Sequence, residues 1–236
     1  MPRLGCLTLE EILAGSLYLV STPIGNLNDI TYRAVHILKQ VALIAAEDTR
    51  KTAILLQKYE ISGPLFPYHS YNQKAQTPRL IAKLKKGDAI ALVSEAGTPG
   101  ISDPAYALVS ACIGEKIRVI PIPGASAVLA ALVASGLPTN RFVFEGFLPL
   151  KKGRRSRIAE MAGDPRSIVI YESPHRIRRT VNELFEQLGD RPCSLARELT
   201  KKFEEIYYGS LAELRQILEQ KQPRGEYVLI IAGKDR

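Results

Sequence analysis

From residue 16 onward the chain alternates short apolar runs with segments of helical period, and this constrains the fold more than any other feature. The runs at 17–21, 41–46, 89–94 and 117–120 are built mostly from Val, Leu, Ile and Ala, with little of the polar alternation of a half-solvated strand. Each is followed by a loop and then by a segment with apolar residues at helical spacing: 31–39, 51–59, 104–114 and 125–135. Strands buried on both faces, each returning through a helix, build a parallel sheet covered on both sides. The pattern changes after Gly136-Leu137-Pro138. Segments 142–147 and 168–171 read as strands around a basic helical stretch, and 175–188 reads as a helix. Between the strands at 193–197 and 203–208 there is no room for a crossover helix, so that pair is antiparallel. A last strand spans 227–232. The expectation is an α/β protein of two α/β domains, 15–137 with a parallel sheet and 138–236 with a mixed one. Residues 1–14 form an extension.

Three strand ends in the first half run into loops rich in Gly, Pro and Ser. They read Ser21-Thr22-Pro23-Ile24-Gly25-Asn26-Leu27, Ser94-Glu95-Ala96-Gly97-Thr98-Pro99-Gly100-Ile101-Ser102-Asp103-Pro104 and Pro121-Ile122-Pro123-Gly124-Ala125-Ser126-Ala127. In an open parallel sheet the ligand crevice lies outside the carboxyl ends of the strands, where these loops fall. One such loop is ordinary turn chemistry; three at one edge point to a ligand. No GxGxxG opens the first unit and no GxxxxGK[ST] occurs, which argues against a dinucleotide or a P-loop nucleotide. The second loop carries Glu95 and Asp103 and no cation, so it would repel a phosphate but suit an amine, a ribose or a positive centre. S-adenosylmethionine has these groups.

Composition narrows the partner. Lys and Arg number 32 against 24 Asp and Glu, a net charge of +8, which points to an anionic partner. The excess is local: residues 151–157 hold five cations (Lys151, Lys152, Arg154, Arg155, Arg157) and 175–179 hold three (Arg176, Arg178, Arg179). Both clusters fall in the second domain just past strand ends and are expected to bind RNA through its phosphates. With no Trp and 7% aromatic residues, stacking is not expected to dominate. Three separated cysteines, without a CxxC pair, exclude a disulfide framework or a cysteine zinc site, and no other metal-ligand spacing occurs. The long uncharged stretch at 119–140 is interrupted by Pro121, Pro123, Gly124, Gly136 and Pro138, and its unbroken part is about half a bilayer span. With no signal-peptide core near the N-terminus either, the expected compartment is the cytosol.

The second loop, together with Ser21-Thr22-Pro23-Ile24-Gly25-Asn26-Leu27 and Glu47-Asp48-Thr49-Arg50, resembles the ribosomal RNA small-subunit methyltransferase I family, a cytidine 2′-O-methyltransferase branch of the tetrapyrrole methylases. The likeness continues through Tyr171-Glu172-Ser173-Pro174-His175-Arg176, Ala196-Arg197-Glu198-Leu199-Thr200-Lys201-Lys202 and Gly225-Glu226-Tyr227, and so covers about 16–234. The resemblance implies S-adenosylmethionine in a cleft between the domains. Its loops match Pro23 and Gly25; Ser94, Glu95, Ala96, Gly97, Thr98, Pro99, Ile101 and Asp103; and Pro123, Gly124, Ser126 and Ala127, with Tyr171 from the second domain. The family more often has Asp at Glu95 and Gly at Ala105. It also implies a homodimer acting on ribosomal RNA of the small subunit.

Methylating a ribose 2′-hydroxyl needs a weak nucleophile placed and its charge stabilised. Glu198 and Lys201 are the residues expected near the acceptor ribose, with Arg50 on the RNA. Two other readings remain: methylation of a tetrapyrrole precursor by the same fold, and an RNA-binding protein with a vestigial cofactor pocket.

Overall fold

The computed structural model describes residues 11–234. Its first sheet holds five parallel strands, β1 (Leu17–Val20), β2 (Leu43–Ala46), β3 (Leu65–Pro67), β4 (Ile90–Val93) and β5 (Val119–Ile122), in the order β3-β2-β4-β1-β5. Four helices return the chain: α1 (Tyr32–Gln40), α2 (Thr49–Lys58), α3 (Gln73–Lys85) and α4 (Ala105–Gly114). Ile37 and Leu38 of α1 and Leu56 of α2 pack with Tyr18, Ile44 and Ala91 on one face. Leu80 and Leu84 of α3 and Leu108 and Cys112 of α4 pack with Leu17, Ile90 and Leu92 on the other. The strands are buried on both faces, as their unbroken apolar composition requires.

The second sheet is mixed. Its strands are β6 (Phe142–Phe147), β7 (Ser167–Glu172), β8 (Pro192–Arg197), β9 (Glu205–Ser210) and β10 (Tyr227–Ile231), in the order β6-β7-β10-β8-β9. Only β6 and β7 run parallel; the other three pairings are antiparallel. Helices α6 (Arg154–Met161), α7 (Ile177–Leu188) and α8 (Leu211–Gln220) cover one face. The other face is covered by α5 (Ala127–Ala134), whose Val128, Ala131 and Leu132 meet Val169, Ala196, Val228 and Ile230. The two α/β parts and their sheet types are those expected from the sequence.

The helix α5 shows where sequence pattern runs short. It reads Ala-Val-Leu-Ala-Ala-Leu-Val-Ala, apolar all round, so no polar face indicates which sheet it covers. It lies on the second sheet, and the compact units accordingly divide between Ala125 and Ser126 instead of after residue 137. The second unit also takes in Ile24–Asn26. Three elements were not anticipated. β3 is only three residues long, and α3 carries an internal Pro78. α8 begins with a capping box in which Ser210 and Glu213 bond reciprocally, a signal that was legible. The extension at 1–14 lies mostly outside the described residues. No helix among these residues is long and apolar enough to cross a membrane.

Leu229 sits fully buried in β10, the central strand of the second sheet. Leu229→Ala should cost about 2–5 kcal/mol, as core truncations do. The check is the urea unfolding midpoint, which an unimportant side chain would leave unchanged.

Candidate functional site

The three glycine and proline loops of the first sheet do meet, and one hydroxyl holds them. Parallel strands all end at one edge, so the loops after β1, β4 and β5 emerge side by side. The Ser21 hydroxyl donates to Thr98 Oγ1 at 3.0 Å, and Thr98 Oγ1 donates to the Ala125 carbonyl at 3.1 Å. A two-residue bridge reinforces this: Thr22 N–H donates to the Gly97 carbonyl at 2.9 Å, and Gly97 N–H to the Thr22 carbonyl at 3.0 Å. Gly97 needs its φ of 83° there, and a Cβ on Gly124 would stand 2.8 Å from that of Ser21. The Ser94 hydroxyl donates to the Gly97 carbonyl at 3.2 Å. Pro23, Ser94, Ala96, Gly97, Thr98, Pro99, Pro123 and Gly124 are thus brought together. The Thr22 hydroxyl beside them is buried without a hydrogen-bond partner.

The two carboxylates of the second loop already have partners within the chain. Asp103 accepts from the Gly100 N–H at 2.7 Å and the Ala105 N–H at 2.9 Å, closing the turn that starts α4. Burial pushes its carboxyl above the usual range, against the pull of those backbone donors. Glu95 is ion-paired with Lys51, and its N–H donates to Glu47 at 3.4 Å. Burial, with the charges of Asp103 and Glu95 adding to it, raises the Glu47 carboxyl; the Glu95 N–H and His69 oppose the rise. Ile101 stands exposed at the rim. Arg50 lies on α2, whose N-terminus Asp48 caps by accepting from the Arg50 and Lys51 N–H groups. The Arg50 guanidinium bonds the same carboxylate at 3.0 and 3.2 Å, yet is 89% exposed. Those bonds hold the Asp48 carboxyl down to about 2.

A second group of expected residues gathers in the second unit. After β8 the chain turns through Glu198 (φ 49°) and Thr200 (φ 67°), backbone conformations that cost energy and are retained where surroundings enforce them. Lys201 Nζ donates to Glu198 Oε1 at 2.9 Å and to Glu226 Oε2 at 2.8 Å. Glu198 also accepts from the Glu226 N–H at 2.9 Å. Two glycines make this turn possible. A Cβ on Gly25 would collide with the Lys201 stem and approach Leu199 O to 3.0 Å, and one on Gly225 would lie 2.6 Å from Glu198 Oε1. Burial disfavours both charges, but the mutual bonds outweigh it: the Glu198 carboxyl is lowered and the Lys201 ammonium raised. Glu226 and Gly225 were quoted in the sequence motif without a role, and their place against Glu198 is new. Tyr171 is packed by Phe144 and Phe147 with ring centroids 5.0 and 5.6 Å away. Burial first, and the Glu226 charge as well, raise its hydroxyl, opposed by the Val128 backbone at the start of α5 beside Ser126 and Ala127.

The basic clusters divide between internal partners and solvent. Arg154 is 3% exposed; it donates to Glu183 at 2.6 Å, Thr180 at 2.7 Å and the Pro149 carbonyl at 3.2 Å, so it meets no external phosphate. Arg176 bonds the Leu148 carbonyl and the buried Glu172. Arg178 holds the Leu218 and Lys221 carbonyls at the end of α8. Arg157 pairs with Glu145 and Glu160, and Arg179 with Glu183. A run of cations on a helix thus serves several faces, one of them internal. Lys151, Lys152 and Arg155 are exposed and carry no ion pair among the described residues.

Comparison with known proteins follows from this geometry. Residues 16–215 match the model of the Tetrapyrrole (Corrin/Porphyrin) Methylases. A ribosomal RNA small subunit methyltransferase I from Synechocystis sp. is 52% identical over 221 residues, 93% of this chain and 79% of that one. The protein of the same name from Thermotoga maritima is 44% identical, covering 94% of this chain and 100% of its own. Among solved structures, a uroporphyrin-III C-methyltransferase from Thermus thermophilus, complexed with S-adenosylhomocysteine, superposes with TM-score 0.64 at 20% identity. It covers 92% of this chain and 97% of its own, and shows the same fold.

Two outcomes are expected of the geometry alone. Thr98→Val leaves the Ser21 hydroxyl and the Ala125 carbonyl without their shared partner and should cost about 1–3 kcal/mol, read by urea denaturation. Asp48 titrates below its unfolded value of about 3.9, so its cap contributes above that pH and is lost as pH falls through about 2. Amide protection factors across 49–58, taken relative to the intrinsic rate at each pH, should therefore fall between about pH 4 and 2. Asp48→Asn, which keeps a capping oxygen, should flatten that dependence.

Proposed function

The chain belongs to the tetrapyrrole methylase family, among the ribosomal RNA small subunit methyltransferase I proteins, and on that premise we propose that it methylates the 2′-hydroxyl of a cytidine ribose in small-subunit ribosomal RNA, with S-adenosylmethionine as donor. The observation that carries this reading is the loop knot around Thr98, on a chain half identical to its Synechocystis relative. The knot fits the donor chemically. It presents backbone amides and carbonyls, the unpartnered Thr22 hydroxyl and no cation, a set that suits an adenosine and an amino-acid tail and not a phosphate. In the first unit Pro23, Ser94, Ala96, Gly97, Thr98, Pro99, Ile101, Pro123 and Gly124 would hold it; Glu95 and Asp103 shape the loop. The family likeness also supports Gly25, Ser126, Ala127 and Tyr171 as donor-binding residues. When bound, the donor supplies a methyl group made electrophilic by a sulfonium.

The chain's own contribution to the acceptor is charge. The ribose oxygen bonds to the methyl carbon as the donor's carbon–sulfur bond breaks, its proton passes to solvent water, and the developing negative oxygen needs a fixed positive partner. Lys201 meets that need, because its raised pKa keeps it protonated and two carboxylates fix its direction. Glu198, lowered and doubly bonded, is a poor base and serves as the positioning residue for Lys201. The exposed Arg50 guanidinium is assigned to the RNA, as are Lys151, Lys152 and Arg155.

The direct test is incubation with tritiated S-adenosylmethionine and unmethylated small ribosomal subunits, followed by mass spectrometry of the RNA. Label on a cytidine ribose is expected; label on uroporphyrinogen instead would overturn the reading. Lys201→Met should lower kcat about 100-fold, the scale of losing one oxyanion donor. Its donor affinity by calorimetry should stay unchanged, with partial recovery in Lys201→Arg.

A further inference from the structure

Of the arginines expected to grip RNA, Arg154 is buried, and Arg157, Arg178 and Arg179 are engaged by carboxylates or carbonyls of the chain itself, while the first unit displays aromatic rings that its composition did not lead one to expect. Its described tyrosines divide sharply. Tyr18 and Tyr68 are buried, and Tyr59 donates to the Leu27 carbonyl. Tyr32, Tyr71 and Tyr106 are 98%, 99% and 79% exposed. All three exposed rings stand where a loop from the carboxyl edge of the sheet enters a helix: Tyr32 opens α1, Tyr71 precedes α3 and Tyr106 lies in the first turn of α4. Exposed aliphatic residues occur elsewhere, as Ile113 does at the far end of α4, but the exposed aromatic residues of this unit keep to the one edge.

Their presentation is built. The segment before α3 is fixed by Asn72, whose Oδ1 accepts from the His69 N–H at 2.9 Å and whose Nδ2 donates to the Pro67 carbonyl at 3.0 Å. His69 meets the Tyr71 ring edge-on, with centroids 6.1 Å apart. Tyr68 points inward and bonds Thr77 at 3.0 Å, which leaves Tyr71 outward. Tyr106 is set by the Asp103 turn. Helices α3 and α4 pack in the same layer through Leu80, Leu84, Leu108 and Cys112, so Tyr71 and Tyr106 head neighbouring helices. Nearby acids are occupied: Asp48 by Arg50 and Glu95 by Lys51. The exposed Arg33 and Lys74 stand one and three residues past Tyr32 and Tyr71, so the rings and the flat Arg50 guanidinium lie beside cations at this edge.

We propose that Tyr71 and Tyr106 form a stacking surface for unpaired bases of the RNA substrate flanking the target nucleotide. Planar side chains on a rigid edge bind single-stranded bases through their faces, a mode open to any base and weakly dependent on phosphate contacts. The edge is continuous with the loop knot, so RNA delivering a ribose to those loops crosses it. The proposal rests on the RNA reading above.

The test uses the full chain and two measurements: anisotropy of a fluorescent single-stranded oligocytidylate of about twelve nucleotides at several salt concentrations, and methylation of small ribosomal subunits. Tyr71→Leu and Tyr106→Leu should each weaken oligonucleotide binding roughly tenfold and raise KM for the subunit, with kcat and donor affinity near wild type. Tyr71→Phe and Tyr106→Phe should bind as wild type, since the ring and not the hydroxyl is used. The slope of log Kd against log salt should be unchanged in the leucine variants, whereas Lys151→Ala with Lys152→Ala should reduce it. Ile113→Ala is the control and should change nothing. Wild-type binding by both leucine variants would overturn the stacking surface, as would a change in sedimentation showing that the rings pack a second copy. Failure of the wild-type protein to methylate RNA would instead remove the reading beneath it.

Discussion

In a sheet of parallel strands every strand leaves at the same edge, and the rest of the first unit follows from that. Five strands deliver their carboxyl ends to one rim, so loops distant in sequence become neighbours without dedicated scaffolding. Ser21, Thr98 and Ala125 are separated by 77 and 27 residues and yet share one hydroxyl. The Gly content of these loops is the local condition for that meeting, since Gly97 holds a φ of 83° and a side chain at Gly124 would meet Ser21. The same rim carries Arg50 and the exposed tyrosines. One topological constraint thus places every feature assigned here to the first unit.

Electrostatics in the second unit follow a different rule. Its cations are mostly structural. Glu172 is a carboxylate buried at the end of β7, and it is tolerable because Thr180 donates to it at 2.6 Å while Arg154 in turn donates to Thr180. Arg178 holds carbonyls at the end of α8, whose last turn has no basic residue of its own. A net charge of +8 is therefore a poor measure of the surface a polyanion meets. Several exposed cations, Arg157 and Arg179 among them, are paired with carboxylates, whereas Lys151, Lys152 and Arg155 at one helix start are exposed and carry no ion pair among the described residues.

Much of the fold was legible because the apolar runs were long enough to show their period. The strands at 17–21, 41–46 and 89–94 and the antiparallel pair near the end match the structure to within a few residues. Legibility failed where period carries no direction. α5 is apolar on every face, so its pattern says helix and nothing about which sheet it covers. At the site, the loops were readable as loops, but the partners of their carboxylates were not, because Asp103 and Glu95 find theirs through backbone geometry and a residue 44 positions away. Arg154 could not be told from Arg155 by composition; only the turn of α6 sends one inward and the other out. The exposed tyrosines were discounted for the same reason, since an aromatic fraction counts rings without saying which of them face water.

The three residues Ile24–Asn26 have a further consequence. They interrupt the first unit's chain and belong to the second, with Gly25 laid against the Lys201 stem. The two bodies are therefore interleaved along the sequence, and no single peptide bond separates one from the other. Gene fission or shuffling at 125/126 would leave the second body without the tripeptide against which its lysine turn is packed.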